Sequence, residues 1–144
     1  MAESLNFILQ PSIVERGANF KRPPIIIKFE NFPAGYSYFS AKICLKDEND
    51  ERYVKESLGG ATIASPIFDD ANNACYFKIR HTNIRAKGRF RIEVQVFGIP
   101  TNPEHGQSYL THNCSSPIKV VSRDPEVRLS NQERALISWI KSLE

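Results

Sequence analysis

The side chains best suited to chemistry in this sequence are basic. Arg16, Lys21 and Arg22 lie in the stretch from Ser12 to Pro24, and Lys28 follows a little further on. A denser group, Arg85, Lys87 and Arg89, sits in Asn83-Ile84-Arg85-Ala86-Lys87-Gly88-Arg89-Phe90. No acidic residue occurs between Ala71 and Ile92, where Lys78, Arg80 and Arg91 add to the positive charge, while acids gather in Asp47-Glu48-Asn49-Asp50-Glu51. Segregated charge gives a directional field that a polyanion can use. Guanidinium and ammonium groups presented on loops suit phosphate oxygens, giving sequence-tolerant, salt-sensitive contacts. The plainer reading of Arg85 to Arg89 is a solvated hairpin paired with acids of neighbouring strands, since exposure is the default for charge.

Other chemistries find little support in the residue pattern. Gly59-Gly60 is not followed by Gly-Lys-Ser/Thr, so there is no P-loop. No serine occupies a nucleophile elbow. His81, His105 and His112 lack both HExxH spacing and cysteines at zinc-ligand spacing, and no cofactor or metal is expected. Asp69-Asp70 could be a carboxylate pair, but adjacent acids in such a segment are far more often turn formers. The expectation is a protein that is not an enzyme and takes no small-molecule substrate.

The elements that must carry the basic groups read as short strands. Leu5, Phe7 and Leu9 alternate in a first strand that ends at Pro11, and Ser12 to Pro24 reads as a loop. Pro23-Pro24 forbids helix there and sets an extended entry into Ile25-Ile26-Ile27-Lys28-Phe29, which is apolar on both faces at its start and so belongs inside a sheet or between layers. Asn31-Phe32-Pro33-Ala34-Gly35 is turn chemistry. Tyr38 to Leu45 is a strand with Phe39, Ala41, Ile43 and Leu45 inward, and the acidic stretch after it is expected to be the most exposed segment. Gly59 to Pro66 reads as a short flexible edge, and Cys75, Phe77 and Ile79 alternate after a turn.

From Phe90 to Phe97 the alternation is long. Phe90, Ile92, Val94 and Val96 share one face, while Arg89, Arg91, Glu93 and Gln95 share the wet one. Pro100 to Gly106 is a loop, and Ile118, Val120 and Val121 form a last strand. The end changes period: Ser130-Asn131-Gln132-Glu133 is a capping box, followed by Leu136, Trp139, Ile140 and Leu143 on one helical stripe. Several short strands with Pro and Gly turns, plus one terminal helix, predict a mainly β antiparallel sandwich with a C-terminal α-helix.

With 144 residues, 41% hydrophobic and 24% charged, the composition suits one domain with its own core. The net charge of +3 is too mild to argue for nucleic acid by itself. Cys44, Cys75 and Cys114 form neither a CxxC pair nor a secreted disulfide framework. Met1-Ala2-Glu3-Ser4 lacks a basic n-region, and Leu5 to Leu9 is too short for a signal core, so Asn113-Cys114-Ser115 is read as a chance sequon and the compartment as reducing. No run approaches the length of a membrane span, so no membrane partner is expected.

The order of these features resembles a family. Gln10-Pro11, the Arg16-Gly17 loop, Lys21-Arg22-Pro23-Pro24 and the isoleucine strand look like the start of a fungal velvet domain. The likeness continues in Gly59-Gly60-Ala61, Ser65-Pro66, and above all Ile84-Arg85-Ala86-Lys87-Gly88-Arg89-Phe90-Arg91-Ile92 followed by Phe97. It closes with Ser116-Pro117-Ile118-Lys119-Val120-Val121-Ser122 and Leu129-Ser130. Each motif alone is weak; order and spacing carry the likeness over nearly the whole chain, as one velvet-like domain over residues 1–144 with its core about 5–143.

The resemblance implies a Rel-homology-like, immunoglobulin-type sandwich that binds double-stranded DNA as a homodimer or with another velvet protein. It also implies a nuclear regulator, shuttling with the cytoplasm, of fungal development, sporulation and secondary metabolism. In the family the basic loop after the first strand contacts DNA, which here maps onto Arg16, Lys21 and Arg22, with Lys28, Arg85, Lys87 and Arg89 as secondary contacts. The family loop is usually longer and richer in Lys and Arg. A second expectation, of a different class, is a protein-interaction sandwich without DNA contact, working through exposed apolar residues of the terminal helix or an edge strand.

Overall fold

The computed structural model describes residues 3–102 and 104–144, and in it the alternating runs become strands and the terminal stripe a helix. The first half of the chain runs β1 (Ser4–Leu9), β2 (Ile13–Glu15), β3 (Ile25–Glu30), β4 (Tyr36–Asp47), β5 (Leu58–Gly60) and β6 (Ile63–Ala64). The second runs β7 (Pro66–Asp69), β8 (Ala74–Ile79), β9 (Thr82–Ile84), β10 (Gly88–Pro100), β11 (Ser108–Cys114), β12 (Ile118–Val121) and the helix α1 (Asn131–Leu143). One sheet has the order β1-β3-β8-β7; the other has β2-β12-β10-β4-β6, with β11 also paired to β10. β5 and β9 form a separate ribbon.

The two sheets share one core. Ile25, Ile27 and Phe29 of β3 and Phe77 and Ile79 of β8 meet Phe39, Ala41, Ile43 and Leu45 of β4 and Ile92, Val94 and Val96 of β10. Each large apolar side chain buried this way contributes roughly 1.5–3 kcal/mol of transfer free energy. β10 pairs with β4 along nearly its whole length, from Phe90 opposite Asp47 to Pro100 opposite Tyr36. The isoleucine run is buried on both faces because Ile26 points away from this core into a second cluster, with Leu9, Tyr76 and Ile140 of α1.

The helix begins where the capping box predicts. Ser130 Oγ accepts from the Glu133 amide at 3.1 Å, and Glu133 Oε1 accepts from the Ser130 amide at 2.8 Å. Trp139 meets Tyr76 edge-to-face at 5.2 Å, and Lys78 Nζ pairs with Glu144 at 2.9 Å. No helix among the described residues is long and apolar enough to cross a membrane.

Four local expectations need correction. The Ser12–Pro24 stretch is not all loop: β2 lies within it and pairs in parallel with β12, so the second sheet is not wholly antiparallel. β11 follows the loop after β10 and pairs with it, although its polar residues Ser108, Thr111, His112 and Asn113 hide the strand pattern. The acidic stretch is partly tied down, with Asp47 and Glu48 half-buried and Glu48 bound to Arg89. Glu93, expected on the wet face, is only 2% exposed. It accepts from Tyr53 Oη at 2.7 Å and Gln95 Nε2 at 2.8 Å, and pairs with Lys46 Nζ at 3.3 Å.

Burial alone would raise the Glu93 carboxyl, but hydrogen bonds from Tyr53, Gln95 and Lys46 outweigh it and hold the group below its ordinary pKa. The bond to Glu93 raises both Lys46 and Tyr53 above theirs. A depressed carboxyl contributes stability that is present above its unfolded pKa and lost as pH falls through the folded value. The raised Lys46 and Tyr53 contribute below their unfolded pKa values and lose that contribution as pH rises through the folded ones. The cluster therefore stabilises most on the plateau between the ordinary carboxylate and ammonium ranges. Glu93→Gln should cost about 1–3 kcal/mol in urea unfolding at neutral pH, with the gap from wild type narrowing at strongly acidic pH. Ile140→Ala, which empties the centre of the helix contact, should cost about 2–4 kcal/mol in the same assay.

Candidate nucleic-acid interface

Sparse charges can act together only if the backbone brings their segments close, and here one non-local lock does so. The Arg16 amide donates to Val121 O at 2.8 Å, carrying the chain off the end of β2. Gly17, at φ +79°, then donates to Ile84 O at 2.8 Å, and Phe20 donates to Thr82 O at 3.1 Å. Between them Asn83 Nδ2 donates to Asn19 Oδ1 at 3.0 Å. Phe20 is 1% exposed and anchors the loop in the core. Segment 16–22 thus runs antiparallel beside segment 80–85.

The lock brings the two basic regions of the sequence together. Arg16, Lys21 and Arg22 are exposed on one segment, and Arg80, His81 and Arg85 on the other. Arg80 is an addition to the sequence-based set; its signal was the acid-free run from Ala71 to Ile92. Lys87 leads into Gly88, which pairs with Val120, so it enters at the same end of the sheet as Val121 and Arg16. Acids are interspersed at this end: Glu15 is half-buried, and Asp124 and Glu126 are exposed.

Arg85 lies in close approach over a glycine. Its amide donates to Ser57 O at 2.7 Å, and its side chain lies across Gly59, where an added Cβ would meet both Asn83 Oδ1 and Arg85 Nε. The neighbouring Gly60 has φ +79°, which spares the β5 turn the cost of a left-handed side-chain-bearing residue. The Gly59-Gly60 pair, set aside as a phosphate loop, here seats a guanidinium.

Beside the loop lies a cavity of about 370 Å³, lined by Asn19, Lys21 and Arg22 on one side and Asp124, Pro125 and Val127 on the other. Arg22 Nη2 and Asp124 Oδ2 face each other at 3.4 Å, with side chains 62% and 52% exposed. Two further candidates are differently placed. Lys28 is half-buried on the helix-side face of β3, paired with Glu30 at 3.5 Å. Arg89 is bound to Glu48 at 2.6 Å, which the plainer reading of that hairpin anticipates.

Among the described residues no three His, Cys, Asp or Glu side chains converge as a metal site. Cys44, Cys75 and Cys114 are all free thiols, and burial pushes Cys75 up to about 12. A thiol held that far above neutral pH stays protonated and unreactive.

No protein-family profile and no curated protein matches the chain. A solved structure of the E. coli chaperone DraB is similar over 94% of this chain at 14% identity, with a TM-score of 0.37. This chain spans 62% of that chaperone chain's length, and a likeness of that size carries no argument about fold or activity.

Proposed function

We propose that the chain is a velvet-like DNA-binding transcription regulator, acting as a homo- or heterodimer in the nucleus, with no catalysis of its own. The finer fold in this reading is a Rel-homology-like, immunoglobulin-type sandwich, which the shared core of the two sheets supports. The observation that carries the reading is the antiparallel lock of segments 16–22 and 80–85, with exposed cations on both. Such a ribbon offers guanidinium forks and an ammonium group to successive phosphates, positioning a duplex without reading its bases. Affinity would come largely from counterion release, at about −0.9 in the slope of log affinity against log salt per phosphate neutralised.

A second reading, a protein-interaction sandwich without DNA contact, is favoured by two exposed apolar side chains. Ile63 on the β6 edge is 66% exposed, and Trp139 on α1 is 39% exposed. Salt-independent behaviour towards duplex, with a concentration-dependent mass in light scattering, would favour it.

Fluorescence anisotropy with random-sequence duplex at low and moderate salt separates the two. The DNA reading expects micromolar or tighter binding that weakens steeply with salt. Lys21→Ala with Arg22→Ala should weaken binding and flatten the slope by between about 0.9 and 1.8, one to two phosphates' worth; unchanged binding by the folded double variant would sink the assignment to this loop. Gly59→Ala should displace Arg85 and Asn83 together, weakening binding about two- to fivefold. Combined with Arg85→Ala it should cost only what the displaced Asn83 side chain adds, since the added Cβ also meets Asn83 Oδ1.

A further inference from the structure

We infer that the Arg22 end of the cavity is a phosphate subsite whose occupant in the free protein is the chain's own Asp124 carboxylate. The inference rests on the DNA-binding reading and deepens it. A carboxylate and a phosphate present similar oxygens to a guanidinium, and both accept from the same fork. Asp124 Oδ2 therefore stands where a phosphate oxygen of a duplex would stand.

The contact is built for exchange rather than permanence. At 3.4 Å it is longer than the 2.7–2.9 Å common for charge-assisted bonds, and both side chains are more than half exposed. A pair of that kind is weak against solvent. The carboxylate is nonetheless aimed. Its other oxygen, Oδ1, accepts from the Glu126 amide at 2.9 Å, in a turn where Glu126 has φ +54°. The segment Ser122–Leu129 between β12 and α1 carries neither helix nor strand, so Asp124 can withdraw without breaking a sheet ladder. Pro125 and Val127 of the same segment line the cavity together with Lys21 and Arg22 of the basic loop.

A double-mutant cycle on the full chain, read by anisotropy with random duplex, tests this. Asp124→Asn should tighten binding about two- to fivefold and steepen the salt slope by a fraction of about 0.9, as Arg22 takes up in full a phosphate it had shared. In an Arg22→Ala background the same substitution should change neither. An equal gain in both backgrounds would reduce Asp124 to one more repulsive surface charge and overturn the subsite. Displacement of duplex by millimolar inorganic phosphate, at ionic strength matched with chloride, would reassign the site to the free anion. Failure of both wild type and Asp124→Asn to bind duplex would remove the DNA reading and the subsite together. Binding by wild type without coupling to Arg22 would remove the subsite alone.

Discussion

Strand β10 is hydrogen-bonded to β4 along one edge and to β12 and then β11 along the other, and its register dictates where everything else can go. A strand has period two, so shifting β10 by one residue would put Arg91 and Glu93 where Ile92 and Val94 now sit. The Phe90, Ile92, Val94 and Val96 face would lose its place against β3 and β8. Such a slip is prohibitive, so Gly88 is pinned opposite Val120. The position of Lys87 and the exit of β12 follow from that pin. The basic end of the molecule is thus a by-product of how the core is packed.

The charged loop depends on the same frame through different atoms. Backbone amides of Gly17 and Phe20 reach β9, and the buried ring of Phe20 holds the loop down. Long cationic side chains lose much rotamer freedom on binding, but a backbone already fixed adds little further entropic cost. A few cations on a rigid support can therefore serve where a mobile loop would need more.

Much of the architecture was legible because its signals are local. Alternation marked β4 and β10, the proline pair marked the entry to β3, and the capping box marked α1 to the residue. What escaped was non-local or short. β2 has three residues and is defined only by its partner β12, while β11 is too polar to show an inward face. Glu93 reads as solvent-facing because its cover, Tyr53 and Lys46, comes from the end of β4 and the turn beyond it. The joining of Arg16 to Arg22 with Arg80 to Arg85 rests on hydrogen bonds between residues more than sixty apart, which no periodicity records.

The sheet margins carry a consequence of a different kind. β6 is two residues long, β7 is four and opens with Pro66, and β2 is three. On β1, the Leu5 carbonyl is already taken by Asn113 Nδ2 at 2.7 Å. At the β6, β7 and β2 margins a neighbouring chain would find only a short ladder to extend, while β11, seven residues long and paired with β10, is a longer edge. At those short margins, the apolar Ile63 included, copies of this protein at high concentration should meet side chain to side chain and part again, rather than zip into a shared sheet.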